Sequence, residues 1–409
     1  VPSAASTGAV FYGELSLDGA VRSLPGAINA AIAARDAGFN RFYTSVACAK
    51  EASVVPAIEV FAVDGLVSLV RHLHGEVLLE KVCAPPPPPL RLSGIDLAQV
   101  RGQLRARRAL EVAAAGGHNI LLLGPPGCGK TLLARAFADV LPPLSLEERI
   151  EVTRSHSAAG LSEGARQLAQ SRPFRAPHAT CTYAALVGGG NPIRPGELAL
   201  AHNGVLFLDE TPEFARQALE ALRAPLEDRH VLVSRAGQSL RFPTSVSLVC
   251  AMNPCPCGYR GDPRRACRCT SKQIDAYRRR MSGPLLDRID IQVRLEPLSG
   301  SDLAGAVLAE STASVQRRVE RCRERQRVRN GALTNAEVSF GALGEIASLE
   351  SDVSRYLTRA IESMGLTARS WHRVIRVART IADLSNSMSV MRNHVSEALT
   401  YRVLEEGTP

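Results

Sequence analysis

Ile120-Leu-Leu-Leu-Gly124-Pro-Pro-Gly-Cys-Gly-Lys130-Thr131 is the stretch whose reading decides the fold. Four apolar residues without polar alternation read as a strand buried on both faces. The glycine-rich turn follows, and Leu132, Leu133, Ala136, Phe137 and Val140 then recur at helical spacing. Strand, Gly-x-x-x-x-Gly-Lys-Thr loop and helix together form the context in which such a loop wraps phosphate oxygens. The candidate cradle comprises Gly124, Pro125, Pro126, Gly127, Cys128, Gly129, Lys130 and Thr131. Its glycines let the backbone approach phosphate, the helix N-terminus favours anions, Lys130 reaches the β- and γ-phosphates, and Thr131 ligates Mg²⁺. The competing reading is a structural glycine turn.

Working outward, two more apolar runs lie downstream, at 205–208 and 246–251. Strand signals that alternate with helical ones predict an α/β fold, a parallel sheet with helices on both faces. The first run ends in Asp209-Glu210. An acid at the end of a buried strand is placed to hold Mg²⁺, here Asp209, and its neighbour Glu210 to polarise an attacking water. Two acids at a strand end also occur where a strand simply meets solvent. The second run ends at Asn253, whose amide suits a water-orienting role, against the alternative of an Asn-Pro turn initiator. Between the runs, Phe214, Ala218, Leu219, Leu222 and Leu226 mark one face of a single helix, and 229–243 read as a hairpin around Ala236-Gly237.

Upstream, the pattern around Asp18-Gly19 reads as a hairpin, followed by an alanine-rich helix over 27–37. Pro85 to Pro89 form a stiff connector, with a proline-rich ligand as the other reading. After about residue 300 the pattern is helical. The expected organisation is 1–84, a linker at 85–93, the nucleotide-binding core at 94–298 and a separate helical lid at 299–409.

Of 409 residues, 45% are apolar and 22% charged, which suits two or three packed domains. The net charge of +9 is carried almost wholly by arginine. It favours an anionic partner, although a GC-rich genome produces the same bias. No apolar run nears the roughly 20 residues of a membrane span, so a cytoplasmic location without membrane contact is expected. The chain starts at Val1 without a methionine, and a removed N-terminal signal is left open.

At this point the motifs add up to more than their parts. Gly102-Gln103, the run 113–119, Arg172-Pro-Phe-Arg-Ala-Pro-His178, Pro195-Gly-Glu197, Ala201-His-Asn-Gly204, Met252-Asn-Pro-Cys-Pro-Cys-Gly258 and Ser282-Gly-Pro-Leu-Leu-Asp-Arg-Ile-Asp290 all resemble the magnesium-chelatase-like AAA+ family known as YifB or ComM, competence-associated ATPases. The resemblance implies ATP and Mg²⁺ as ligands, Asn253 as sensor 1, Arg288 as an arginine finger acting on the neighbouring subunit, and Arg369 as sensor 2, with Arg373 as its fallback. A surface ion pair to Asp287 or Asp290 is the plainer reading of Arg288. A finger in trans implies a homo-oligomeric ring, taken as hexameric. Residues 13–26 resemble the Lon-protease-like α+β fold, which implies that 1–84 is the latter part of such a domain. Asn29, Ala30 and Ala31 stand where its lysine base would lie, so a scaffold is expected and not a peptidase.

Cys255, Cys257, Cys267 and Cys269 supply four thiolates, enough for a structural Zn²⁺, although one residue between the members of each pair is tight and free or redox-linked thiols compete. Two inserts resemble channel-facing elements: 171–199 with Arg172, Arg175 and His178, and 229–242 with Arg229, Arg235 and Arg241. Without interleaved aromatics, any DNA contact there is expected through phosphates. The arginine run 317–329 reads as a solvated lid helix. The leading expectation is an ATP-driven motor remodelling DNA, as in branch migration during recombination or natural transformation; a chelatase-type ATPase remodelling a protein partner is the alternative.

Overall fold

The computed structural model describes residues 6–84, 86, 89, 94–161, 168–235, 237–297 and 310–402; most of the proline linker and the expected boundary at 298–299 lie outside these. The N-terminal unit carries β1 (Ala9–Tyr12), the small hairpin β2 (Glu14–Leu15) and β3 (Val21–Arg22), then β4 (Arg41–Ser45) and β5 (Glu59–Val63). The Asp18-Gly19 hairpin forms as expected, but the sheet proper is β1-β4-β5, all parallel, which the hairpin reading did not anticipate. Phe11, Tyr43 and Phe61 stack across its three strands with centroids 5.1 and 5.0 Å apart. Asn29 exchanges hydrogen bonds of 3.0 Å with the Arg154 carbonyl and guanidinium, which docks this unit on the helix Leu146–Ala158.

The central sheet is built from β6 (Ile120–Leu123), β7 (Phe174–Arg175), β10 (Val205–Leu208), β13 (Ser247–Met252) and β14 (Ile291–Arg294); the short β8 (Gly188–Gly189) and β9 (Arg194–Pro195) pair apart from it. Its order is β14-β6-β13-β10-β7, with all pairings parallel. Every residue of β6 and β10 is buried, as unbroken apolar runs in a helix-covered sheet require. The sequence reading located three of the five strands. β7 and β14 are too short or too polar to stand out: Arg175 and Gln292 interrupt their apolar pattern.

The single helix expected over 214–226 is instead two, Arg216–Ala221 and Arg223–Asp228, with Phe214 ahead of both. The hairpin of β11 (His230–Arg235) and β12 (Gln238–Pro243) closes with Arg235 opposite Gln238, which leaves two residues for the turn.

The C-terminal segment is helical, with Thr312–Asn330, Ala368–Leu384 and Arg392–Leu399 as main elements. It does not close a core of its own. Val315, Val319, Val374 and Ile381 belong to one apolar cluster with Ile120, Leu122 and Phe137. The helix Thr312–Asn330 is therefore not a solvated arginine face throughout. Arg317, Arg321 and Arg327 are exposed, but Arg323 donates to the Ala114 carbonyl at 3.0 and 2.8 Å, and Arg329 pairs with buried Asp383 at 2.8 Å. With Gln326, which donates to Ala115 at 2.8 Å, Arg323 satisfies carbonyls at the end of the helix Leu104–Gly116.

Candidate nucleotide site and its surroundings

The parallel sheet delivers the ends of β6, β10 and β13 to one edge, where ligands of open α/β sheets bind. After β6 the chain turns through Gly127 and Gly129, with φ of 77° and 91°, values that a side chain disfavours. Lys130 opens the helix Lys130–Val140, and its ammonium donates to the Gly124 carbonyl (2.7 Å), the Pro125 carbonyl (2.9 Å) and Asn253 Oδ1 (3.0 Å). Burial lowers the Lys130 pKa against the opposing pull of nearby Asp209 and Glu210. Thr131 Oγ1 donates to Asp209 Oδ2 at 3.1 Å, so the two groups suited to Mg²⁺ already share one position. Asp209 Oδ1 accepts from the Glu210 N–H at 2.9 Å. Glu210 is exposed and left-handed at φ 48°, an uncommon conformation for a non-glycine residue that turns its carboxylate out at the end of the strand. The structure thus brings Lys130, Thr131, Asp209, Glu210 and Asn253 together. Cys128 is buried, and its side chain packs inward beneath Gly124, so within the cradle it offers backbone alone. Pro125 and Pro126 have no N–H to donate.

Three supporting residues escaped the sequence reading. Thr211 Oγ1, fully buried, donates to the Leu208 carbonyl (2.8 Å) and the Ala251 carbonyl (3.1 Å), tying β10 to β13 directly below the acids. Tyr277 accepts from the Asn253 N–H at 3.3 Å. Gln103 bridges the Cys128 carbonyl (3.3 Å) and the Glu296 carbonyl (2.7 Å). Only Gln103 carried a signal, in the pair Gly102-Gln103.

Arg288, Arg369 and Arg373 stand elsewhere. Arg288 precedes β14, and its carbonyl accepts from Asn119 at 2.8 Å, ahead of β6, so it lies at the opposite end of the strands from Lys130. Its guanidinium pairs with Glu227 and donates to the Pro284 carbonyl at 2.7 Å. Arg369 and Arg373 both bind Asp287, at 2.7 and 2.5 Å. The Arg369 side chain is 74% exposed and the Arg373 side chain 4%, so the fallback residue is a buried structural partner while Arg369 points to solvent. Burial alone would raise the Asp287 carboxyl, but the two arginines outweigh it and hold it low. Arg223, Arg288, Arg369 and Arg376 line a cleft of about 580 Å³ there, a cationic recess distinct from the P-loop. Beneath it, buried His118 joins Asp290 Oδ2 and Thr380 Oγ1, both at 2.8 Å, and links this edge to the helix that carries Arg369.

The four cysteines converge: their Sγ atoms all lie within 4.8 Å of one another, with three separations of 3.4, 3.6 and 3.6 Å. Thiolates around a tetrahedral Zn²⁺ at about 2.3 Å stand roughly 3.8 Å apart, so the donor set fits a metal despite the tight spacing in sequence. Backbone N–H groups of Tyr259 and Arg268 push the Cys257 thiol down to about 6.

The basic inserts need correction. Arg172 is bound to the Pro142 and Asn203 carbonyls and to Glu148, and Arg175 grips Glu197 at 2.6 and 2.7 Å. Arg229 sits at the hairpin base, paired with Glu337 at 3.0 Å. Each is neutralised inside the fold. His178, Arg235 and Arg241 are the exposed members of the set.

Comparison with known proteins agrees with this geometry. Residues 96–303 match the family model described as magnesium chelatase, subunit ChlI, and 309–402 match the model of its C-terminal part. The chain is 41% identical to the uncharacterized protein YifB of Salmonella typhimurium over 399 residues, which is 96% of this chain and 77% of that protein. It is 38% identical to the competence protein ComM of Haemophilus influenzae over 407 residues, again 96% and 77%. An uncharacterized Mycobacterium tuberculosis protein is 42% identical over 398 residues, 96% of this chain and 78% of that one. No helix among the described residues is long and apolar enough to cross a membrane. With a P-loop on a five-stranded parallel sheet, a helical C-terminal segment and matches over nearly its whole length, the chain belongs to the magnesium-chelatase-like AAA+ family.

Proposed function

We propose that this chain is the subunit of a ring-forming ATPase whose active sites are shared between neighbours. The observation that carries the reading is the placement of two half-sites at opposite ends of one sheet: Lys130, Thr131, Asp209, Glu210 and Asn253 at one, Arg288 and Arg369 at the other. A head-to-tail ring sets one half-site against the other, whereas an isolated chain keeps them apart. Lys130 neutralises the β- and γ-phosphates, Glu210 takes the proton of the attacking water, and Asn253 orients that water. Arg288 and Arg369 of the neighbour, the first half-buried against Glu227 and the second exposed, answer the charge that develops on the transferred phosphoryl group. Mg²⁺, held by Thr131 and Asp209, would supply charge neutralisation between the phosphates. The four thiolates suit Zn²⁺ as a closed structural site without an open coordination position.

The work driven by hydrolysis is, in this proposal, DNA remodelling of the branch-migration kind. A net charge of +9, the exposed Arg235 and Arg241 on the hairpin, and similarity to a competence protein support it. A second reading, remodelling of a protein partner, is favoured by one observation: Arg172, Arg175 and Arg229 are tied up within the fold, which leaves few cations for phosphate. Steady-state ATP turnover with and without single-stranded or four-way-junction DNA separates the two, with Glu210→Gln as the blank. Stimulation by DNA supports the first, and turnover indifferent to DNA sinks it in favour of the second.

A further inference from the structure

We infer that the four-cysteine cluster is a zinc clamp on the nucleotide site, whose occupancy fixes the position of Asn253 against Lys130. This rests on the ATPase and zinc readings above and adds a coupling between them. The cluster is built into the site from both sides. On one side Cys255 follows Asn253 by two residues, and the turn that Gly258 closes onto the Cys255 carbonyl (2.9 Å) sits on the P-loop itself. Gly258 has φ 84°, and a Cβ there would come within 2.7 Å of Pro126 Cδ, so the turn packs on the P-loop with no space for a side chain.

On the other side Cys269 immediately precedes Thr270, which caps the helix Ser271–Arg279 through its hydroxyl and the amide of Gln273. That helix carries Tyr277, whose hydroxyl accepts from the Asn253 N–H at 3.3 Å. The path from Asn253 to Cys255, across the cluster to Cys269, along the helix to Tyr277 and back to Asn253 is therefore a closed circuit. Two of its junctions have neither backbone continuity nor a helix behind them: the Tyr277–Asn253 hydrogen bond and the four sulfurs, the second of which a metal would close.

Residues 258–266 between the two cysteine pairs form neither helix nor strand, and Gly258, seated on the P-loop, is the only buried one among them. Apolar packing does not hold this segment, whereas four convergent thiolates around a cation would. Arg260, Arg265 and Arg268 lie beside them in the chain with the sign that offsets the net negative charge four thiolates leave on a divalent ion, while Arg264 is paired with Asp262 at 3.5 Å. Arg265 lies 4.1 Å over the Tyr259 ring and donates to its hydroxyl at 2.8 Å, which orders the loop without reaching the sulfurs.

Asn253 acts here as the positioned group and the metal as its support, so loss of the metal should lower kcat about 10- to 100-fold while nucleotide affinity, set by the P-loop, changes by no more than roughly threefold. The test uses the full chain. Elemental analysis of wild type, Cys267→Ser, Cys269→His and the remote control Cys83→Ser should give about one zinc per chain for all except Cys267→Ser, since histidine can replace one thiolate. Each protein is then measured for fluorescent ATP-analogue affinity, ATP turnover, and hydrogen exchange over 253–258 and 124–130. The expected result is faster exchange in both segments and lower kcat in Cys267→Ser alone, with recovery in Cys269→His. If Cys267→Ser does not fold, the same readings follow zinc removal from folded wild type by a strong chelator and zinc re-addition. Wild type without bound metal, or metal-free protein with unchanged exchange and kcat, overturns the clamp. Zinc-loaded wild type that hydrolyses no ATP overturns the ATPase reading instead, and the exchange measurement still decides the clamp.

Discussion

Placing Arg288 and the P-loop at opposite ends of β6 and β14 has a quantitative consequence. β6 spans four residues, and at about 3.3 Å per residue the two ends stand roughly 13 Å apart before any loop is counted, well beyond hydrogen-bond reach. If Arg288 serves catalysis, it serves the neighbour. Arg288→Ala should then lower kcat by about 10³- to 10⁵-fold, the usual contribution of an arginine finger. Lys130→Ala should be inactive as well. Mixed in equal amounts and allowed to exchange subunits, the two variants regain every junction in which the Arg288→Ala subunit supplies the P-loop and the Lys130→Ala subunit the finger. That is about a quarter of junctions in a randomly mixed head-to-tail ring, so about a quarter of wild-type turnover should return. Arg288 also anchors Glu227 and the Pro284 carbonyl, but a purely structural loss is not repaired by mixing. A mixture no more active than its components, with assembly verified by light scattering, would refute the shared site.

Three further outcomes follow from particular contacts. Burial alone would raise the Asp383 carboxyl, but the Arg329 hydrogen bond, the Arg379 charge and the Asn335 amide hold it below the usual range. Its stabilising contribution is therefore complete above about pH 4 and is lost as pH falls through the lowered folded value. Asp383→Asn should cost about 3 kcal/mol in urea unfolding at pH 7, with the gap to wild type closing in acid, and an equal gap at all pH values would count against this account. Arg235→Ala combined with Arg241→Ala should weaken single-stranded DNA binding and flatten its salt dependence by about 0.7 for each phosphate no longer neutralised; an unchanged slope would remove the hairpin from the interface. Phe137→Ala, at a fully buried position beneath the P-loop, should destabilise by about 3–5 kcal/mol in urea titration, and a loss under about 1 kcal/mol would mean that the core collapses around the gap.

What the sequence determined by itself was local and periodic. The Ile120–Leu123 run, its glycine loop and the helix after it could be read from neighbouring residues, because strand burial, loop conformation and helix spacing are short-range properties. Asp209, Glu210 and Asn253 were legible for the same reason, since each ends an apolar run. The crowding of four cysteines into fifteen residues was visible too, although their convergence was not. Tertiary structure decided what depends on partners far along the chain. Arg172, Arg175 and Arg229 read as available cations until Glu148, Glu197 and Glu337 were found beside them. Arg369 and Arg373 lie one turn apart in sequence, the first expected as sensor 2 and the second as its fallback, yet packing buries Arg373 on Asp287 and leaves Arg369 in solvent. β7 and β14 are too short or polar to announce themselves and exist because an established sheet edge gives their backbone groups partners. The placement of the arginines at the far end of the strands from Lys130 is likewise a property of sheet direction. A hydrogen-bonded parallel sheet aligns strands separated by dozens of residues, and that long-range pairing carries no local signature.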